Sequence, residues 1–248
     1  MLDLSFIDPQ SLLGQTLRLP LRLVPLSAEV RILQGALRGK KWVVGSSNHR
    51  CWLGFYEASK QKKLAEYIHA GMICYDLGAN VGLYSLLFSV LTGPTGSVVA
   101  FEPLPENVLR LWHHLEINDC RNVMVESVAI SDVDGMAGFS RSRSNCQGCL
   151  SQTGDLYVRS CRLDTRITED NLSPPNLMKI DVEGAEARVL EGARKTIFEH
   201  KPVIAVATHG PQPHYECCQW LRAMNYDIQP LDSRTVESAT ELLALPRR

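Results

Sequence analysis

Short apolar runs, separated by stretches in which apolar residues recur at helical spacing, repeat along most of this chain. The runs fall at residues 72–77, 98–101, 123–129, 175–181, 203–207 and 226–228. Runs that are apolar almost throughout, without strict alternation, are typical of strands buried on both faces of a parallel sheet. The helical spacing between them indicates crossover helices. The pattern therefore predicts an α/β fold with a Rossmann-like, doubly wound, mostly parallel sheet and helices on both faces.

The first 50 residues follow another pattern, and we expect them to form a small β-rich extension to a domain that spans residues 51–248. Alternation over residues 17–25 is interrupted by prolines, which limit this segment to an edge strand or extended chain. Two apolar runs at residues 30–33 and 41–44 bracket two glycines and predict a hairpin. The extension could cap the ligand side of the sheet or form a contact in a homo-oligomer, and the sequence leaves both open.

Two predicted helices carry titratable residues. The lysines of the helix over residues 60–68 are expected on its solvated face, whereas Trp112 is expected on the inner face of the helix over residues 107–118. His113 and His114 are adjacent, so they cannot face one metal ion as residues four apart could, and we expect them at the surface or partly packed. Little chain follows residue 228, so the last strand of the sheet is expected to be reduced or missing.

The stretch from residue 72 to residue 85 predicts a buried strand, a tight turn and the start of a helix. Gly78 and Gly82 lack a Cβ, so the backbone of this turn can adopt unusual dihedral angles and approach a ligand. The free N–H groups of the helix start favour a negatively charged group such as a carboxylate. Asp76 adds an acceptor at the carboxyl end of the strand, where open α/β sheets bind ligands.

The spacing of this motif distinguishes between cofactors. Dinucleotide-binding turns follow G-x-G-x-x-G, whereas this turn has two glycines four residues apart and an acid, Asp76, before them. A carboxylate repels a pyrophosphate but suits an ammonium group, so the pattern favours S-adenosylmethionine; the alternative is a glycine-rich turn without a ligand. Glu102 ends the next predicted strand, where an acid hydrogen-bonds ribose hydroxyls. The alternative for Glu102 is a solvated residue at a strand end.

The chain resembles the FkbM-type family of class I S-adenosylmethionine-dependent methyltransferases over roughly residues 50–230. The resemblance rests on residues 52–57, 76–85, 101–103, 128–132, 162–164 and 179–186, with Asn107 and Gly135. It implies a seven-stranded type of sheet, S-adenosylhomocysteine as product, and a hydroxyl of a small molecule or sugar as methyl acceptor. The cofactor-binding residues that the motifs and the resemblance together indicate are Asp76, Gly78, Ala79, Asn80, Gly82, Tyr84, Glu102, Pro103, Ser127, Ala129 and Asp181.

Ser127 and Ala129 are candidates for the adenine end because the third strand borders adenine in the class I fold that the resemblance implies. A plain strand end is the alternative for both residues. Substrate-side candidates are Glu57, which otherwise is a first-turn helix charge, and Lys179, which shares a strand face with Asp181.

The candidate catalytic residues follow the fourth and fifth predicted strands. Asp181 and Glu183 lie at the carboxyl end of one strand, where neighbouring carboxylates could raise one pKa enough for a general base. Asp181 is the first candidate for that base or for orienting the methionine ammonium, and Glu183 is the second. Both could instead cap the following helix. A divalent metal ion held with Glu186 is a weaker alternative, so no metal is expected.

The end of the fifth strand departs from the family pattern. Many family members carry a glutamate near this point, where this chain has Ala207 and Thr208. His209 follows them, and its ordinary pKa near 6.5 makes it a plausible replacement base. A structural role for His209 is the alternative.

Composition narrows the possible partners. The formal net charge is −1, so the composition does not indicate a basic surface, and we expect no nucleic-acid partner. An acid near the start disfavours a signal peptide, and no apolar run is long enough to span a membrane, so no membrane partner is expected. The eight cysteines are scattered and lack the density of a disulfide scaffold, so we expect a reduced, cytoplasmic setting. Residues 135–160 are polar, and we expect a substrate-side loop there. Cys146 and Cys149 lie in that loop with C-x-x-C spacing but no second ligand pair, so no metal site is expected.

Two other functions compete with methyl transfer. A Rossmann-type NAD-dependent oxidoreductase would share the fold but needs the third glycine that the turn lacks. A non-catalytic S-adenosylmethionine-binding scaffold would keep Asp76 and Glu102 but need no acceptor-side base.

Overall fold

A computed structural model describes residues 20–141, 148–150 and 156–247. The strands in the described part of the chain are β1 Glu29–Arg31, β2 Lys41–Val43, β3 Ile73–Leu77, β4 Ser97–Phe101, β5 Val123–Glu126, β6 Ala129–Ile130, β7 Gly135–Arg141, β8 Gly148–Leu150, β9 Leu156–Cys161, β10 Leu177–Ile180, β11 Val203–Ala207, β12 Tyr226–Pro230 and β13 Glu241–Pro246. The α-helices are α1 His49–Leu53, α2 Ala58–Ala65, α3 Leu83–Thr92, α4 Pro105–Ile117, α5 Leu163–Glu169, α6 Glu186–Gly192, α7 Arg194–His200 and α8 Pro211–Ala223.

The central sheet has seven strands in the order β12-β13-β11-β10-β3-β4-β5. The strands from β11 to β5 pair in parallel, and β13 is antiparallel to both of its neighbours. The chain runs outward from β3 through β4 to β5 and later returns to the other side of β3 with β10. This reversal opens a crevice at the carboxyl ends of β3 and β10, which is where ligands bind in such sheets. The predicted doubly wound, Rossmann-like fold is confirmed.

Alternate residues of the strands pack against opposite helix layers. On β3, Cys74 packs with α2, α3 and α4, whereas Tyr75 and Leu77 pack with α5, α6, α7 and α8. The period of two in a strand sends successive side chains to opposite faces. The same alternation places Asp76 of β3 on the α3 face of the sheet.

The last strand of the sheet is present, so the expectation that it would be reduced or missing is wrong. β13 has six residues and inserts between β11 and β12. Leu242, Leu243 and Ala244 are fully buried there. This compact run of apolar residues near the end of the chain is the sequence signal for the strand.

The third predicted strand and the loop after it also differ from expectation. The chain leaves the central sheet after Glu126 and enters a second sheet with order β6-β9-β7-β8. Strands β7, β8 and β9 pair within residues 135–161, where a loop was expected. The polar composition of that segment hides the strands because only one face of this sheet has core residues such as Phe139 and Val158. Cys149 lies on β8, and Cys146 lies outside the described residues.

The predicted hairpin near the start of the chain is present. β1 and β2 pair in antiparallel register, and Trp42 of β2 is part of the core that holds α3 and α4. Pro20–Leu23 is a 3-10 helix, so the expected edge strand or extended chain is wrong for these residues. The described part of the chain contains no helix that is both long and apolar enough to cross a membrane.

Three expectations about side chains on α2 and α4 are wrong, namely those for Trp112, His114 and Lys60. Trp112 is exposed on α4, whereas His114 of the same helix is fully buried. Lys60 is buried on α2, although the lysines there were expected on the solvated face. His114 hydrogen-bonds the carbonyl oxygen of Val81, and Lys60 lies 2.6 Å from Glu241. Periodicity in the sequence does not report such partners.

Candidate active site

A pocket opens at the carboxyl ends of β3, β4 and β10. Among the residues singled out in the sequence, the pocket lining includes Glu57, Gly78, Ala79, Asn80, Tyr84, Glu102, Pro103, Ala129, Lys179, Asp181, Glu183 and His209. Three candidates do not line it, namely Asp76, Gly82 and Ser127. Trp42, Tyr56, Phe139 and Glu241 also line it, and sequence reasoning missed them.

The two glycines of the turn serve packing within the protein. Both have left-handed backbone, with φ of +79° for Gly78 and +92° for Gly82. A Cβ on Gly78 would lie 1.8 Å from the backbone oxygen of Asp181, and one on Gly82 would lie 2.2 Å from Leu111. The sequence motif had suggested close approach to a ligand. Each glycine lets the turn approach another part of the chain, and Gly78 also lines the pocket.

The backbone N–H groups of this turn are mostly used within the protein. Those of Gly78 and Ala79 both donate to the carbonyl oxygen of Phe101, at 3.0 and 2.9 Å. The N–H of Asn80 donates to the Glu102 carboxylate at 2.8 Å. The turn is therefore anchored to the end of β4, and the expected anion site on its N–H groups is not supported for these three residues.

Asp76 lies below the pocket. Its carboxylate has no exposed surface and accepts hydrogen bonds from Lys179 Nζ at 3.1 Å and from Ser85 Oγ at 2.7 Å. Lys179 is its direct cross-strand partner on β10. Asp76 therefore does not line the pocket, because its carboxylate faces this buried lysine and serine.

One end of the pocket is built around Glu102. The buried Glu102 carboxylate also accepts from the Leu104 N–H at 2.9 Å and from Asn107 Nδ2 at 3.3 Å. Burial raises the pKa of Glu102, although these hydrogen bonds oppose the rise. The Oδ1 atom of Asn107 is buried at the pocket wall and makes no hydrogen bond within the described part of the chain.

Apolar groups complete this end of the pocket. They come from the crossing between the two sheets and from the second sheet, and include Val128, Ala129, Ile130 and Phe139. Ser127 is exposed and lies outside the lining, so the wall at this point is formed by its two successors. A flat apolar group would be shielded from water here, while Glu102 and Asn107 offer polar atoms beside it.

The opposite end gathers the candidate catalytic residues. His209 Nε2 lies 3.7 Å from Asp181 Oδ1 and 3.5 Å from Glu183 Oε2. Its other ring nitrogen, Nδ1, hydrogen-bonds Oε1 of Glu186 at 2.8 Å. Glu186 is fully buried at the start of α6, and its Oε1 also accepts from the Gly184 N–H at 2.8 Å. The three candidates of the sequence analysis are thus brought together, and Glu186 orients the histidine.

The charges of this cluster shift the pKa values of His209 and Asp181. The hydrogen bond that His209 donates to Glu186 and the charges of Glu183 and Asp181 raise the pKa of His209 to about 9, against an opposing effect of burial. Burial alone would raise the pKa of Asp181, but Lys179, Lys60 and His209 hold it below its ordinary value. Asp181 is therefore a stable anion and a weak base, whereas His209 is the stronger proton acceptor.

A second charged network lines the pocket beside this cluster. The Tyr84 hydroxyl donates to Glu57 at 2.6 Å, and the ammonium groups of Lys60 and Lys179 lie 5.1 and 5.0 Å from the Tyr84 ring centre. Lys60 Nζ lies 3.2 Å from Glu57 and 2.6 Å from Glu241. Glu57 is the N-cap residue of α2 but makes no capping hydrogen bond with its side chain. The network fixes Tyr84 and Glu57 at the pocket wall.

Glu241 supplies a carboxylate at the end of β11, where this chain departs from the family pattern. Its Cα is the register partner of Ala207 across the β11–β13 pair, and its side chain lines the pocket. Thr208 is buried, and its hydroxyl donates to the Thr240 carbonyl at 3.2 Å. The neighbouring strand thus brings an acid to the edge where β11 itself lacks one.

The cluster of Asp181, Glu183 and His209 has atoms of the kind that bind metal ions. One ligand-type atom each from Asp181, Glu183 and His209 lies within 4.8 Å of the others. Carboxylate and imidazole groups suit several divalent ions. The buried Glu186 holds the other ring nitrogen of His209, an arrangement that occurs in metal sites and in acid–base pairs.

Comparison with known proteins identifies the family. The family model of the FkbM methyltransferase domain matches residues 76–228, from the glycine turn to β12. A hexuronic acid methyltransferase, AglP, of Haloferax volcanii is 26% identical over a match that covers 57% of this chain and 58% of the relative. The 31-O-demethyl-FK506 methyltransferase FkbM of Streptomyces tacrolimicus is 28% identical over 50% of this chain and 60% of the relative. The matches span less than two thirds of either relative.

Solved structures share the fold. The crystal structure of a methyltransferase FkbM from Methylobacillus flagellatus superposes with a TM-score of 0.51 at 17% identity, and covers 80% of this chain and 55% of that one. A ribosomal protein L11 methylase of Lactobacillus delbrueckii also gives a TM-score of 0.51, at 11% identity, over 82% of this chain and 80% of its own.

Proposed function

Since this chain belongs to the FkbM methyltransferase domain family, we propose that it transfers a methyl group from S-adenosylmethionine to a hydroxyl oxygen of a small molecule or sugar. One observation carries the proposal. A single pocket joins a buried acceptor of the ribose-binding kind, Glu102, to an oriented histidine, His209. The names of two relatives, one acting on a hexuronic acid and one on a demethylated FK506, support an oxygen acceptor.

The residues present fit this cofactor. Glu102 and the unsatisfied Oδ1 of Asn107 offer acceptors for hydroxyl or amino hydrogens of a nucleoside. The apolar wall formed by Val128, Ala129 and Phe139 suits a flat base. The opposite end is rich in carboxylates, which favours a ligand that carries an ammonium and a sulfonium.

Asp181 holds the amino-acid end of the cofactor in this proposal. Its carboxylate stays ionised, because Lys179 and Lys60 keep its pKa low. Asp76 acts one layer below by fixing Lys179, which lies 3.5 Å from Asp181. We therefore assign Asp181 to the ammonium and not to proton removal, which is one of the two roles that the sequence left open for it.

His209 is the proposed base. When bound, S-adenosylmethionine supplies an electrophilic methyl carbon on a positively charged sulfur. His209 Nε2 takes the proton of the acceptor hydroxyl as its oxygen forms the bond to that methyl carbon. The broken carbon–sulfur bond leaves its electron pair on sulfur, so the products are the methyl ether, S-adenosylhomocysteine and a protonated histidine. Glu186 stabilises the protonated ring through Nδ1.

The experiment that tests this function is calorimetric titration of the purified protein with S-adenosylhomocysteine and, separately, with NAD. We expect binding of the first alone. Glu102→Gln should weaken that binding at least tenfold, and Glu106→Gln, an exposed neighbour on α4, is the matched control with no expected change. Binding of NAD alone, or of neither compound, would contradict the proposal. Neutral hexoses, uronic acids and polyketide hydroxyls are then compared as acceptors.

A further inference from the structure

The hairpin of β1 and β2 reaches the pocket through Trp42. Trp42 has no exposed surface, yet it is among the residues that line the pocket. Its Nε1 atom makes no hydrogen bond within the described part of the chain. A buried N–H group without an acceptor is costly, and a ligand that supplies the acceptor recovers that cost. The indole N–H of Trp42 is therefore a donor to which a bound ligand could supply the acceptor.

The orientation of the indole is fixed by His114. The two rings stack at 3.8 Å with an angle of 10° between their planes. His114 Nδ1 lies 2.7 Å from the carbonyl oxygen of Val81, which can only accept, so Nδ1 carries the hydrogen. Nε2 then accepts from the Val43 N–H at 3.1 Å. The ring cannot turn without breaking both bonds, and it ties β2 to the glycine turn.

A second pair of hydrogen bonds holds the same strand on α4. The N–H of Lys41 donates to Asn118 Oδ1 at 2.8 Å, and Asn118 Nδ2 donates to the carbonyl oxygen of Lys41 at 2.9 Å. Trp42 is thus held from both sides of its backbone before any ligand arrives. Such preorganisation lowers the cost of binding.

We propose that the indole N–H of Trp42 donates a hydrogen bond to an oxygen or ring nitrogen of the bound cofactor, and that the hairpin is part of the cofactor site. This inference rests on the proposed function, since it takes S-adenosylmethionine as the ligand. It assigns the N-terminal extension as a cap on the pocket, one of the two roles that the sequence left open.

The test compares Trp42 with a second buried tryptophan, Trp52, whose indole N–H already has an acceptor. Trp42→Phe removes the N–H but keeps an aromatic ring against His114. Trp52→Phe is the matched control, because the buried indole of Trp52 already donates to His49 Nδ1 at 3.0 Å and does not line the pocket. Calorimetry should show S-adenosylhomocysteine binding about three- to tenfold weaker in Trp42→Phe, the effect of one net hydrogen bond, and unchanged in Trp52→Phe.

A measurement on the wild-type protein covers the case in which Trp42→Phe does not fold. With ¹⁵N-labelled tryptophan, the indole resonance of Trp42 should move downfield on saturation with S-adenosylhomocysteine, and the Trp52 resonance should not. An unchanged dissociation constant in folded Trp42→Phe, or an unmoved Trp42 resonance at saturation, would overturn this inference alone. Failure of the wild-type protein to bind S-adenosylhomocysteine would instead overturn the proposed function.

Discussion

The Nδ1 atom of His209 lies 2.8 Å from Oε1 of Glu186, a carboxylate with no exposed surface. This contact fixes the ring and leaves Nε2 between Asp181 and Glu183 at the pocket. All three carboxylates favour the protonated ring, so the pKa of His209 rises to about 9. The pKa of such a base is closer to that of an alcohol than the pKa of an ordinary histidine is. The ring must, however, be deprotonated before it can accept the proton of the alcohol.

The pH dependence of catalysis follows from that pKa. Since only the neutral ring accepts a proton, we expect methyl transfer to rise with pH by up to tenfold per unit and to level off above about pH 9. His209→Asn should lower kcat by about 10²- to 10⁴-fold while S-adenosylhomocysteine binding persists. His113→Asn, at an exposed histidine, is the control. A pH-independent rate in the wild type would contradict the assignment.

Glu186→Gln should shift the same profile to lower pH. The amide can still accept the hydrogen bond from Nδ1, but it no longer attracts the charge of the protonated ring, so the pKa of His209 falls. The maximum rate should fall as well, because the protonated ring formed during the reaction loses its partner. NMR titration of the imidazole in both proteins measures the shift directly, and equal pKa values would show that Glu186 is only structural.

Asp181→Asn tests the cofactor side of the cluster. We expect S-adenosylhomocysteine binding to weaken by about ten- to a hundredfold, since a charged hydrogen bond to the ammonium is lost. Glu183→Gln removes the same charge from the same cluster and should change the affinity less. Calorimetry decides the matter. Equal losses in the two variants would indicate a general charge effect, and a loss of turnover alone in Asp181→Asn would restore Asp181 as the base.

Much of this site was predictable because strands end at fixed places. An acid or histidine directly after a buried apolar run lies at the ligand edge of a parallel sheet, and that rule brought Glu102, Asp181 and His209 to one pocket. The rule fixes where the Cα of a residue lies but not where its side chain points. Asp76 belongs to the strand itself, so the alternation of the strand directs it into the α3 layer and away from the pocket.

The remainder depends on contacts between distant parts of the chain. Glu241 reaches the pocket only because β13 inserts beside β11, and Trp42 only because its hairpin packs on α4. Lys60 is buried because Glu57 and Glu241 neutralise it. Local hydrophobic pattern carries no information about such partners. Burial of a charged or polar residue is set by what faces it in the folded chain.

The buried pair of Lys179 and Asp76 should dominate the stability of the site. Lys179→Met leaves the Asp76 carboxylate buried without a cation, and we expect a loss of about 3–5 kcal/mol in the free energy of unfolding. Asp76→Asn combined with Lys179→Met should recover part of that loss. Urea denaturation of both variants measures it. Lys63→Met, at a partly exposed lysine, is the control and should change little. An unchanged midpoint in Lys179→Met would contradict the pairing.

Turnover should survive removal of divalent metal ions. In the proposed mechanism the pair of His209 and Glu186 removes the proton without a Lewis acid, and Asp181 binds the ammonium of the cofactor. Rates are compared after treatment with a chelator and after addition of Mg²⁺ or Mn²⁺. A loss with the chelator that either ion restores would instead place a metal ion among Asp181, Glu183 and His209, whose ligand-type atoms lie within 4.8 Å of one another.

His114 should make the protein sensitive to acid. Burial lowers its pKa from 6.5 to about 4 in the folded state, so between these values the unfolded chain binds a proton that the folded chain does not. The folded protein therefore has its full stability above about pH 6.5. Its free energy of unfolding decreases by up to ~3 kcal/mol as the pH falls toward 4. Protonation would also place a hydrogen on Nε2, which accepts from the Val43 N–H in the folded protein.

Unfolding free energies measured across this pH range test the effect. His114→Gln should be less stable at neutral pH but should lose less stability between pH 6.5 and 4 than the wild type does. His113→Gln changes the adjacent, exposed histidine and should keep the wild-type slope. Carboxylates that titrate in the same range contribute equally to all three proteins, so the difference in slope isolates His114. Parallel curves for His114→Gln and the wild type would show that folding does not lower the pKa of His114.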